Sequence, residues 1–103
     1  EFKLFTDIIE KIASDEELLA LQIELAEKPD KGKIVKKTGG ARKIRMAVKG
    51  KGKRGGSRVI YYWQDQYDVI WMLTAYLKKD KSDLTESEKS AIKDIIDDIK
   101  KGI

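Results

Sequence analysis

The 103 residues carry a net charge of +4 and 41% apolar side chains, enough for one core, but neither cysteine nor histidine. That excludes disulfides, thiolate metal or redox sites, serine-histidine triads, zinc hydrolases and histidine-pair ribonucleases, and leaves Lys, Arg, Tyr, Asp and Glu for any catalysis. The length predicts a single domain over residues 1–103. With no run of about 18 apolar residues and no signal-peptide core, the chain reads as soluble and cytoplasmic, with no membrane contact.

The chain opens on Glu1, as one lacking its natural start would. Phe5, Ile8, Ile9 and Ile12 recur at helical spacing and predict a short first helix. Ser14 followed by Glu17 is a capping box, with Asp15 and Glu16 suited to a positive helix start. Leu18, Leu21, Ile23 and Leu25 supply the apolar content of this second helix, which Pro29 forbids from continuing. Both helices are acidic and are expected to cover one face of a sheet.

From Lys31 the composition changes. Residues 1–30 hold 3 basic and 9 acidic side chains, whereas residues 31–64 hold 12 basic and no acidic ones. Like charges this close repel in the folded state, and a concentrated positive field is the footprint of a polyanion partner rather than a demand of folding. "KGKIVKKTGG" predicts a short strand at Ile34 and Val35 and a turn at Gly39 and Gly40. In "ARKIRMAV" the apolar Ile44, Met46 and Val48 alternate with Lys43 and Arg45, so one face is core and the other cationic. Lys49 to Ser57 reads as a nine-residue hairpin loop carrying Lys49, Lys51, Lys53 and Arg54. The P-loop spacing fails here and the next element is a strand, so the loop is a flexible cationic tip able to follow a phosphate backbone.

"RVIYYW" forms the next strand, opened by Arg58 at the loop end, with Val59, Tyr61 and Trp63 on one face and Arg58, Ile60 and Tyr62 on the other. "DVIWMLTAYLK" is apolar enough for a central strand covered on both faces. The three strands predict an antiparallel meander. Thr85 and Glu88 form a second capping box, and Ile92, Ile95, Ile96 and Ile99 make a helical stripe read as core in preference to a partner surface. The fold class is therefore α+β: a small antiparallel sheet packed against two N-terminal helices, with a C-terminal helix.

Lys43 and Arg45 share a strand face, Arg58 lies on the neighbouring strand, and Tyr76 and Lys78 share a face at the far end of the next. Arg offers a bidentate fork to phosphate, Lys a point charge, and Tyr a hydroxyl or stacking ring. In a cluster of cations a lysine or tyrosine also releases its proton more easily, which makes either a base without histidine. Against this stands the plainer reading of Arg45 and Arg58 as salt-bridge residues. Trp63 and Trp71 read as core, and Tyr62 stands between core and RNA contact.

The blocks "GGARKIRMAVKGKGKRGGSRVIYYW" and "LTAYLKKDKSDLTESEKSAI" resemble the RelE/HigB superfamily of bacterial type II toxins, over about Ser14 to Ile92. The resemblance implies a compact toxin that enters the ribosomal A site and cuts mRNA without metal or cofactor, the 2′-hydroxyl attacking the adjacent phosphate. It implies Arg45 and Arg58 as stabilisers of phosphate charge, Lys43 or Lys78 as base or acid, and Tyr76 as a residue that stacks on or orients a base. Lys49, Lys51, Lys53, Arg54 and Tyr62 would grip RNA. Some relatives use histidine at the site and this chain has none; the family's leading strand is missing or reduced ahead of Phe5. The resemblance further implies a monomeric free toxin held inactive by a cognate antitoxin, often of helix-turn-helix type. Competing readings are a non-catalytic RNA-binding module and a ParE-like toxin acting on DNA gyrase.

Overall fold

The computed structural model describes residues 3–48 and 52–102. Two helices, α1 (Lys3–Ile12) and α2 (Asp15–Glu27), precede strands β1 (Lys33–Ile34), β2 (Arg42–Val48), β3 (Gly52–Gln64) and β4 (Val69–Leu77), and α3 (Glu86–Lys101) follows. The strands form one antiparallel sheet in the order β1-β2-β3-β4, the expected meander with a short strand added at its edge.

Period-two alternation divides the sheet into two buried faces. Ile44, Met46, Val59, Tyr61, Met72 and Ala75 pack against Phe5 and Ile9 of α1 and Leu21 and Leu25 of α2. On the opposite face Ile60, Leu73 and Tyr76 pack against Ile92, Ile96 and Ile99 of α3. The isoleucine stripe of α3 is thus core, with Ile95 at its exposed margin. Trp63 and Trp71 pack against the two clusters respectively.

Both capping boxes form. Ser14 Oγ accepts from Glu17 N at 3.1 Å while the Glu17 carboxylate accepts from Ser14 N at 2.8 Å. Thr85 and Glu88 repeat the pattern at 3.1 and 2.8 Å. Each satisfies two backbone donors that a helix start leaves unpaired.

Three expectations need correction. The nine-residue loop is not there: β3 begins at Gly52, which pairs with Val48, so only residues 49–51 separate the strands. Glycine is poor strand material, yet the ladder carries it through an irregular register between Met46 and Val48. Arg58 consequently lies within β3 and does not open it. Second, β4 is an edge strand rather than a central one; its apolar run reflects helices over both faces, since Met72 and Ala75 face the α1 side and Leu73 and Tyr76 the α3 side. Third, Ile23 is 52% exposed, because the buried stripe of α2 runs through Leu21 and Leu25 and Ile23 falls on its outer side.

Tyr61 ties the helical layer to the sheet. Its hydroxyl donates to Pro29 O at 2.7 Å and accepts from Gly32 N at 2.9 Å. A Cβ at Gly32 would stand 2.8 Å from the Tyr61 ring, so only glycine fits there. Thr38, fully buried, closes the turn into β2 by donating to Val35 O at 2.7 Å and accepting from Ala41 N at 3.0 Å. Among the described residues no helix is long and apolar enough to cross a membrane.

Candidate phosphate site

Arg45, Arg58 and Tyr76 form one row across the sheet. Arg45 on β2 pairs with Arg58 on β3, and Arg58 pairs with Tyr76 on β4. Directly paired residues of antiparallel strands project from the same face with Cβ atoms about 5 Å apart. Lys43, two residues from Arg45 on β2, occupies the next row on that face, opposite Ile60.

The row is graded in exposure. Arg45 is exposed, whereas Arg58 is 7% exposed and donates from Nη1 to Ser57 O at 3.3 Å. Among the described residues neither arginine forms an ion pair, so the plainer salt-bridge reading finds no carboxylate here. A guanidinium so far out of water has a strong electrostatic preference for an anion.

Tyr76 is 7% exposed, and its hydroxyl is buried without a hydrogen-bond partner among the described residues. Burial pushes its pKa up, the Asp83 carboxylate pushes further in that direction, Arg58 pulls it down, and Glu88 adds to the rise. This corrects one expectation: cation clustering does not make Tyr76 an easy base, because desolvation outweighs the arginine. At neutral pH its phenol is a protonated donor beside a buried cation.

Three residues stand around the row, of which the sequence marked only Glu88, and that as a capping-box residue rather than for the site. Lys81 places Nζ 5.1 Å from the centre of the Tyr76 ring, and it pairs with Glu88. Asp83 pairs with Lys43 at 3.4 Å and accepts from Leu84 N at 2.8 Å. Those contacts hold the Asp83 carboxyl below its ordinary pKa, the backbone donor first and Lys43 after it. Lys81, Asp83 and Glu88 belong to the β4–α3 connection and the first turn of α3, and only the folded sheet brings them to Lys43 and Tyr76.

The other predicted residues are dispersed. Lys78 lies just past β4, exposed, with its backbone N–H donating to Gly56 O at 3.2 Å, which continues the ladder two residues beyond Tyr76. Tyr62 pairs with Trp71 four residues along β3 from Arg58. It packs against the α3 cluster with Lys100 Nζ 5.9 Å over its ring, and so stands roughly 13 Å from the row. Lys49 and Lys51 lie outside the described residues, as do the side chains of Val48, Lys53 and Arg54. Beside Arg45, a groove of about 320 Å³ between α2 and β2 is walled by Glu16, Glu17 and Glu24, and that acidic wall bounds the phosphate-friendly surface on this side.

The model of the RelE toxin family, described as the RelE toxin of the RelE/RelB toxin-antitoxin system, matches residues 3–101. The chain belongs to the RelE toxin family. Its α+β architecture and the basic row therefore sit in a toxin of a toxin-antitoxin system, and membership in such a RelE-type pair implies an antitoxin partner.

Proposed function

We propose that this RelE-family toxin is a ribosome-dependent endoribonuclease that cuts mRNA in the A site and so stops translation, acting as one unit over its length in the cytoplasm. The observation that carries the reading is the row in which a nearly buried Arg58 stands between Arg45 and a Tyr76 hydroxyl that lacks a partner among the described residues. A buried cation beside an unsatisfied donor is costly to folding and suits an anionic ligand.

The chemistry is transesterification. The 2′-hydroxyl of the substrate attacks the adjacent phosphorus, its proton passes to a base, and the 5′-oxygen leaves with a proton from an acid. The nucleophile is supplied by the RNA, so no metal or cofactor is required for activation. Arg45 and Arg58 meet the charge that grows on the phosphoryl oxygens, Lys43 or Lys78 carries the protons, and Tyr76 donates or stacks. Lys49, Lys51, Lys53 and Arg54 grip RNA at the β2–β3 hairpin end, Tyr62 contributes a more remote contact, and the antitoxin is of helix-turn-helix type. The free toxin is monomeric.

Induced expression tests the reading. Wild type should stop protein synthesis rapidly, and Arg58→Ala should grow normally while still binding ribosomes. Undiminished toxicity in Arg58→Ala would remove the catalytic assignment, and a DNA-damage response in place of translational arrest would favour a gyrase-directed toxin.

A further inference from the structure

Resting on the phosphate-site reading above, we propose that Asp83 occupies that site in the unloaded protein. Its carboxylate stands against Lys43 as a phosphate oxygen would, and RNA binds by displacing it.

Asp83 is poorly explained as a stability device. The Lys43 Nζ to Asp83 Oδ1 distance is 3.4 Å, with the two side chains 28% and 50% exposed. Ion pairs that wet contribute little to folding. The same carboxylate is nevertheless held in place, because Oδ1 also accepts from Leu84 N at 2.8 Å, just before the Thr85 cap of α3. Lys43 comes from β2, 40 residues away in sequence, and is otherwise directed along the face that carries Arg45 and Arg58. A fixed anion is thus presented to the lysine beside the arginine row by a contact weak enough to exchange.

The neighbouring pair repeats the arrangement. Glu88 holds Lys81, whose ammonium lies over the Tyr76 ring. The connection from β4 to α3 therefore lays one carboxylate on Lys43 and another beside the Lys81–Tyr76 contact. A phosphate group, with more charge and more acceptor oxygens than one carboxylate, replaces the first of these without rearranging the backbone.

The substitution Asp83→Asn is the direct probe, since an asparagine Oδ1 keeps the bond from Leu84 N while the charge is lost. Inorganic phosphate, followed by NMR shifts of the Lys43 and Arg58 side chains, should bind Asp83→Asn about two- to fivefold more tightly than wild type at low salt. The gain should shrink as salt is raised and vanish in the Lys43→Met background. Glu10→Gln on α1, which loses an equal charge from a helix on the opposite sheet face, should bind as wild type does. Equal or weaker binding by Asp83→Asn overturns the proposal, and so does a gain that persists without Lys43. The readout is independent of cleavage: absence of mRNA cutting would remove the endoribonuclease reading and leave the phosphate result standing, whereas cutting with unchanged phosphate binding would remove only the role of Asp83.

Discussion

Tyr76 and Tyr61 are both buried tyrosines of the same sheet, and their hydroxyls have opposite fates. Among the described residues the Tyr61 hydroxyl makes two backbone hydrogen bonds, and the Tyr76 hydroxyl makes none. Tyr61→Phe should therefore lower stability by about 1–3 kcal/mol in a denaturant titration, because the Gly32 N–H loses its partner in a buried setting. Tyr76→Phe should leave stability unchanged or raise it slightly, since it removes a polar atom that has no partner, while ribosome-dependent cleavage falls at least tenfold. A Tyr76→Phe protein that is destabilised and fully active would contradict the assignment of that hydroxyl to a ligand. Local pattern set Tyr61 on the face of its strand opposite Arg58, gave Tyr76 and Lys78 a shared face, and marked Arg45 and Arg58 for one cationic surface. It did not show the Pro29 and Gly32 contacts or the Lys43–Asp83 pair, because these join residues some 30 to 40 positions apart that meet only after the sheet has formed.

The elements were legible to different degrees, for physical reasons. Capping boxes are short-range chemistry: the donors and acceptors lie three residues apart, so Ser14–Glu17 and Thr85–Glu88 could be placed from sequence alone. Strand alternation likewise placed Ile44 and Met46 in the core and Lys43 and Arg45 opposite. Strand order and length could not be read this way. A run covered on both faces looks central even when, as in β4, it lies at an edge, and glycines that read as loop are carried into the ladder by β2. The start of α3 provides an element-scale prediction. The Glu88 carboxyl is held below its ordinary pKa by Lys81 first and by the Thr85 N–H next. A depressed carboxylate stabilises the fold above its unfolded pKa and loses that contribution as pH falls through the folded value. The melting temperature of wild type should therefore exceed that of Glu88→Gln at pH 7, and the gap should close below about pH 4. A gap that stays constant down to pH 3 would show that the charge of Glu88 does not hold the helix start.

Across the molecule, charge is segregated: the acidic α2 lies with α1 on one side of the sheet, and the carboxylate-free stretch 31–64 supplies β1, β2 and β3. Two arginines of that stretch stand on the α3 face with Tyr76, and the lysine-rich segment lies at the β2–β3 hairpin end. The arginine row and the lysine-rich grip should separate experimentally. Replacing Lys49, Lys51, Lys53 and Arg54 by serine should weaken binding to single-stranded RNA and lower its salt slope by up to roughly 3, as about 0.7 per lost phosphate contact implies. Arg58→Ala should leave most of that slope and abolish cutting; equal salt slopes for wild type and the four-serine variant would remove the grip. The central claim is tested most directly by primer extension on an mRNA incubated with the toxin, with and without ribosomes. Cuts in register with the reading frame that require ribosomes are the predicted result, and no cuts, or the same cuts on naked RNA, would contradict it.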